Sequence, residues 1–207
     1  MKWLSYDSKL ITMLSAVADA IFVNLLYLLC CIPIITIGPA RTALYTVTAS
    51  WAEKENSGAK DFLVAFGKNF RSSCPLWLAA LALGIFLIAD FYFMLLNTIP
   101  MEILLWFLLL PLTVFYLVAL SQLFMVEARF SCSFRQSIKN ALLIGIAHPV
   151  CSILHIALLA VPLVVFLWWP EMFLELGLLW LLFYFSLEGY FDALIAKKHY
   201  DKLAKKA

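Results

Sequence analysis

The sequence predicts an all-α polytopic membrane protein: a transmembrane helical bundle of about six crossings in three hairpins, with both termini cytoplasmic. Three observations carry this prediction. Of 207 residues 65% are hydrophobic and only 14% charged, and mean hydropathy is +0.96; a soluble fold could not cover that much apolar surface with so few polar residues. Apolar runs recur at the length of about 20 residues that a hydrocarbon core of roughly 30 Å demands of a helix. Every Lys and Arg except Arg41 lies outside those runs, gathered on the alternate connections 1–9, 53–73, 127–139 and 197–207. The turns at 97–102 and 168–175 contain only Glu102, Glu171 and Glu175 as charged residues. Short cationic loops are retained in the cytoplasm, so the asymmetry fixes orientation as well as membrane residence.

The first crossing is predicted over 10–32, stopped by Pro33. The stretch Pro33-Ile-Ile-Thr-Ile-Gly38-Pro39 is not regular helix, because two prolines lack donors and each disfavours helix before it. Helix restarts at Pro39, a favoured first-turn position, and runs through Trp51. At roughly 20 Å this leg is short for a crossing, and five crossings result if it does not span. Cations before and after 10–51 require that segment to cross twice or not at all, so it reads as a hairpin. Its broken backbone at membrane depth needs cover from other helices or a wet cavity. The third crossing, 74–96, turns at Asn97-Thr-Ile-Pro100; the fourth, 101–126, contains Pro111. The fifth, 140–167, contains Pro149 and Pro162, turns at Trp168-Trp-Pro170, and returns as the sixth over 172–196. Trp51, Trp77, Trp106, Trp168 and Trp169 stand near predicted boundaries, as in an interfacial aromatic belt.

The whole chain, 1–207, is one integral membrane domain with a basic tail at 197–207. Two short stretches echo one another: Asp61-Phe62-x-x-x-Phe66-x-Lys68-Asn69 and Ser133-Phe134-x-x-x-Ile138-Lys139-Asn140. Each sets apolar residues at helical spacing beside cations, so 59–71 and 131–140 are expected as interfacial helices at the cytoplasmic headgroups. Phe62, Phe66, Lys68, Asn69, Arg71, Arg135, Lys139 and Asn140 are the candidate partner contacts. Asp7, Lys9 and Asp19 interrupt any signal-peptide pattern, so insertion through uncleaved helices is expected. The net charge of +2 sits on loops and favours anionic lipid headgroups over nucleic acid. Cys30, Cys31, Cys74, Cys132 and Cys151 are odd in number and lack metal-ligand spacing, and read as small buried hydrophobes. No metal and no cofactor is expected.

The segment Leu29-Cys-Cys-Ile-Pro-Ile-Ile-Thr-Ile-Gly-Pro-Ala-Arg-Thr-Ala-Leu-Tyr45 resembles the YesL-like family of bacterial membrane proteins. Pro33, Thr36, Gly38, Ala40, Ala43, Leu44 and Tyr45 match its Pro-x-x-Thr-Ile-Gly-x-Ala-x-x-Ala-Leu-Tyr pattern, with Asn24 in the first helix. The stretches Asp61-Phe62-x-x-x-Phe66-x-x-Asn69-Phe70 and Ala128-Arg129-Phe130…Lys139-Asn140-Ala141 are similar to it as well. Members are largely uncharacterised and are often encoded beside binding-protein-dependent carbohydrate importers in Gram-positive bacteria. The resemblance implies an accessory role in sugar uptake and carries over no catalytic or binding residue.

Charge inside lipid costs at least a few kcal/mol, so each buried ionisable group asks for a role. Asp19 is expected near mid-depth of the first crossing and Asp90 about two turns from the outer end of the third. Glu188 and Asp192 lie four apart on one face of the last; if both ionise they repel, so one keeps a proton or takes a cation. A proton- or cation-coupled path is one reading. The other is structural: Asp192 pairing with a cytoplasmic cation, Asp19 capping broken backbone. His148, Ser152 and His155 share a face of the fifth crossing, suited to proton relay or to interhelical hydrogen bonds; two imidazoles about 10 Å apart along the axis do not suit a metal. Thr36, Gly38 and Arg41 form a helix start with an added charge, a candidate receptor for an anionic or hydroxyl-rich ligand. The alternative is that Arg41 snorkels outward or pairs with Asp90 or Glu102. Phosphate loops, nucleophile elbows and zinc-protease motifs are absent from the sequence, so no enzyme is expected. Two functions follow as expectations: an accessory subunit contacting importer permease chains, or a free-standing small secondary transporter or channel.

Overall fold

A computed structural model describes residues 9–96, 102–130 and 132–204. The expected turn at 97–100, the basic start of the chain and Lys205 and Lys206 of the tail lie outside them. The described chain is an all-α helical bundle: α1 (Lys9–Cys31), a 3₁₀ turn (Ile34–Thr36), α2 (Ile37–Ala52), α3 (Ala59–Leu96), α4 (Glu102–Arg129), α5 (Phe134–Ala147), α6 (Pro149–Trp168), α7 (Pro170–Glu175), α8 (Gly177–Leu179), a π turn (Trp180–Tyr184) and α9 (Phe185–Ala204). Five segments are long and apolar enough to cross a membrane: Ile11–Cys31, Ala59–Leu96, Leu105–Arg129, Pro149–Trp168 and Gly177–Lys197. Their outward faces are apolar, with Ile85, Ile88, Phe107, Leu163 and Leu178 all exposed, as lipid contact requires.

The remaining expected crossing, the second, is the short α2, and it is the hub of the bundle. Its 16 residues reach about 24 Å, and it contacts α1, α3, α4 and α9. Eleven of those residues are buried, Gly38 through Tyr45 among them. Lipid tails are as apolar as the side chains they would replace, so close backbone approach and polar pairing hold such a helix. Gly38 is the point of closest approach: a Cβ there would crowd the Trp77 Cβ and stand 2.9 Å from the Ser73 carbonyl oxygen. Thr42 Oγ1 meets Ser73 Oγ at 2.9 Å one turn further on.

The broken backbone before α2 is exposed, not covered, and its carbonyls are met by side chains. Trp77 Nε1 donates to Ile34 O at 2.7 Å, and Thr36 Oγ1 is 2.5 Å from Cys30 O and 2.7 Å from Pro33 O.

Three sequence expectations change. The stretch 59–71 is the first third of the continuous α3, not a separate interfacial helix, because Pro75 is accommodated inside it. The expected crossing 140–167 is broken at His148 (φ −130°, ψ 64°) into α5 and α6. Pro149 has no N–H for the Gly145 carbonyl, and Ser152 Oγ donates to that oxygen instead at 3.3 Å. The interfacial stretch 131–140 therefore belongs largely to α5, with Ser131 outside the described residues.

The α2–α3 and α4–α5 connections and the end of the last crossing meet at one end of the bundle. Arg129 Nη2 donates to Glu53 Oε1 at 3.1 Å, and Lys197 Nζ donates to Ala52 O at 2.9 Å.

Candidate functional site

Four helices deliver charge and aromatic hydroxyls to the middle of the bundle. Arg41 lies one turn into α2, and its Nη2 donates to Glu188 Oε1 of α9 in a buried ion pair. The guanidinium carbon sits 4.7 Å from the Tyr45 ring centroid and 6.0 Å from that of Tyr27 on α1, within cation–π range. Arg41 and Tyr45 are four apart and so share a face of α2. Tyr45 carries the network on: its hydroxyl is 2.8 Å from His155 Nε2 and 3.4 Å from Asp192 Oδ2. His155 Nδ1 lies 3.2 Å from Asp192 Oδ2. One proton arrangement satisfies this triad: Tyr45 O–H donates to Nε2, and Nδ1–H donates to Asp192.

The supports around the cluster are polar as well. Asn24, fully buried on α1, donates to Leu181 O at 2.6 Å and accepts from the Ser186 N–H at 2.9 Å. It thereby holds both ends of the π turn that precedes Glu188. A π turn interrupts the regular ladder, and the Asn24 amide gives partners to the Leu181 carbonyl inside it and the Ser186 N–H just after it. Gln122 of α4 donates to Ser152 Oγ at 3.2 Å. Beside the cluster is a cavity of about 10 Å³, lined by Gln122, His148, Cys151, His155 and Asp192 among others; that is room for about one water. Among the described residues, four buried side-chain polar atoms have no hydrogen-bond partner: Arg41 Nη1, Trp180 Nε1, Glu188 Oε2 and Asp192 Oδ1.

The structure thus brings Arg41 and His155 to the Glu188–Asp192 pair, which the sequence itself sets on one face of the last crossing, and corrects their partners. Arg41 pairs with Glu188, not Asp90, because α2 lies against α9; the side chain of Glu102 lies outside what the structure describes. Asp192 meets His155 and Tyr45, not a cytoplasmic cation. Thr36 and Gly38 do not join Arg41 in an anion receptor: Thr36 closes carbonyls at the end of α1, and Gly38 faces α3. Asp19 stands beside Gly58, where a Cβ would lie 2.7 Å from its Oδ1, so it belongs to the loop end of the bundle and not to mid-depth. Asp90 is half-buried on α3, outside the cluster. His148 sits at the α5–α6 break and shares the cavity wall with His155.

Among the candidate partner contacts, Phe62 is fully buried against α2 and stacks with the half-buried Phe66, so it serves the core. Lys68, Arg71, Arg135 and Lys139 are exposed; Asn69 and Asn140 are half-buried, Asn140 reaching Cys132 Sγ at 3.6 Å.

Sequence reading passed over Tyr27, Tyr45 and Gln122. The available signal was the spacing of Tyr45 from Arg41 and of Tyr27 from Asn24, which puts each pair on one helical face. His155, Glu188 and Asp192 offer ligand atoms within 4.8 Å of one another and are the residues that would hold a metal, although both imidazole nitrogens are already engaged.

Residues 20–91 match a family described as "Protein of unknown function, DUF624". No curated protein and no solved structure matches. The matched span holds Asn24, Arg41 and Tyr45 but not His155, Glu188 or Asp192.

Proposed function

We propose that this chain is an accessory integral membrane protein of carbohydrate import. It would sit in a bacterial cytoplasmic membrane against the permease subunits of an ABC-type importer, with both termini cytoplasmic. The YesL-like resemblance of the Thr-Ile-Gly segment implies this setting. The observation that carries the reading is the division of charge. Arg41, His155, Glu188 and Asp192 are directed at one another inside the bundle, whereas Lys54, Lys60, Lys68, Arg71, Arg135 and Lys139 are all exposed. The α2–α3 connection, at the end joined through Arg129–Glu53 and Lys197–Ala52, carries Lys54, and the helices α3 and α5 carry the other five. Under this reading the sugar path belongs to the partner chains, and the cationic end is suited to anionic lipid and an acidic partner surface.

The test is affinity purification of the tagged protein from its native host in mild detergent, followed by mass spectrometry. Stoichiometric recovery of importer permease chains is expected; recovery alone or only with copies of itself rejects the reading.

A second reading, a free-standing proton- or cation-coupled transporter, is favoured by the unpartnered carboxylate oxygens of Glu188 and Asp192. Under it, Glu188→Gln together with His155→Ala abolishes an uptake phenotype; intact uptake in that double variant removes it.

A further inference from the structure

We infer that Glu188 and Asp192 together form a binding site for one monovalent cation, a proton or a sodium ion, held between Glu188 Oε2 and Asp192 Oδ1. The inference does not depend on the importer partnership. Its first support is geometric. The two carboxylates are one turn apart on α9, and both side chains are 1% exposed. Each uses one oxygen, Glu188 Oε1 on Arg41 and Asp192 Oδ2 on His155, and each leaves its other oxygen buried without a donor. A buried acceptor without a donor carries its full desolvation cost. Glu188 and Asp192 offer ligand oxygens within 4.8 Å of one another, so one shared proton, or one sodium ion between them, relieves both residues at once.

Charge counting gives the second support. With Tyr45 and His155 neutral, as their mutual hydrogen bond and the His155–Asp192 contact allow, two carboxylates face one guanidinium. The cluster then holds one uncompensated negative charge in a low-dielectric interior, which is costly. A monovalent cation makes it neutral, whereas a divalent ion overshoots to a net positive charge beside Arg41. A transition metal is further opposed because Tyr45 and Asp192 already occupy both imidazole nitrogens.

The titratable and charged groups facing the pair are Tyr27 from α1, Arg41 and Tyr45 from α2, His148 and His155 from the α5–α6 break and α6, and Tyr184 from the π turn. Arg41 supplies the only fixed positive charge in this set. A sodium ion needs oxygen ligands beyond the two carboxylates, and the adjoining cavity, with Asp192 and His155 in its wall, holds about one water. A proton needs none.

The test is the thermal stability of the full-length purified protein in lipid nanodiscs, followed by tryptophan fluorescence. One arm varies sodium against choline at constant ionic strength and pH; the other varies pH from about 5 to 9 in choline alone. A sodium site gives a melting temperature that rises with sodium and saturates. A proton site gives no sodium response and a stability that falls as pH rises, with the folded-to-unfolded ratio changing by up to about tenfold per pH unit. A proton site also gives an infrared C=O band of a protonated carboxyl. In Asp192→Asn, an uncharged mimic of the proton-loaded state, the sodium response or the pH response and carboxyl band are lost. If that variant does not fold, the wild-type titrations and infrared spectrum still decide. Wild-type stability indifferent to sodium and pH with no protonated-carboxyl band, responses that persist unchanged in Asp192→Asn, or stabilisation by zinc alone would each overturn the assignment.

Discussion

Arg41 and Glu188, 147 residues apart in the sequence, form a buried ion pair that ties the central helix α2 to the last crossing. A pair of this kind adds little net stability over well-packed apolar residues, but removal of one partner strands the other charge at a cost of about 3–5 kcal/mol. Arg41→Met, which leaves two buried carboxylates without a cation, is therefore expected to melt well below the wild type. Arg41→Met combined with Glu188→Leu should recover much of the loss. Additive losses in that double-mutant cycle would show that the two side chains do not couple.

Asn24 should be as unforgiving as a charged residue. Its amide serves the Leu181 carbonyl and the Ser186 N–H at once. Asn24→Leu keeps the branching and the number of side-chain heavy atoms and removes both bonds, which is expected to cost about 1–3 kcal/mol per stranded group. Hydrogen exchange should quicken locally over 181–186; a uniform change along the chain would argue against a local role.

Two glycines on neighbouring helices should respond in opposite senses to the same added methyl group. At Gly38 the new Cβ meets the Ser73 carbonyl and the Trp77 Cβ, neither of which is the loose end of a side chain. Gly38→Ala is expected to destabilise by about 1–3 kcal/mol. At Gly67, inside α3 and exposed, nothing lies within 4 Å, so Gly67→Ala should stabilise by roughly 0.5–1 kcal/mol. Melting of the two variants side by side separates packing from backbone entropy.

The exposed cations of α3 give the importer reading a residue-level consequence. Reversing Lys68 and Arg71 to Glu leaves the buried network untouched, so membrane insertion and thermal stability should hold while recovery of permease chains drops. Unchanged recovery would place the contact elsewhere on the protein.

Orientation can be read with substituted cysteines in a background whose five native cysteines are replaced. Glu55 and Glu175 are both exposed, Glu55 in the α2–α3 connection and Glu175 at the end of α7. Glu55→Cys is expected to react with an impermeant thiol reagent only from the cytoplasmic side and Glu175→Cys only from outside. The reverse pattern would invert the topology.

How far the sequence reaches is plainest at α2. Its start was legible from Pro33, Gly38 and Pro39, because proline removes donors whatever surrounds it. Its place at the centre was not, since 16 residues of modest polarity read equally as a short lipid-facing leg. Pro149 and Pro75 illustrate the same limit. Both occur in long apolar runs, yet the chain breaks at the first and continues through the second. The polar candidates were found one by one from the cost of charge in lipid. The spacing of Glu188 and Asp192 set those two on one face, but nothing in the sequence said that Arg41 and His155, each on another helix, would meet them.

By itself, then, the sequence determined the all-α membrane class, the long apolar helices and the clustering of cations on alternate connections. These follow from local rules: the length of an apolar run, the geometry of proline and the side on which cationic loops are retained. The tertiary structure alone decided that α2 is the hub, that Arg41 faces Glu188, and that two carboxylate oxygens are left buried without a donor. Those are relations between segments far apart in the chain. They are settled by which helix faces fit together once the backbone's own hydrogen bonds are satisfied.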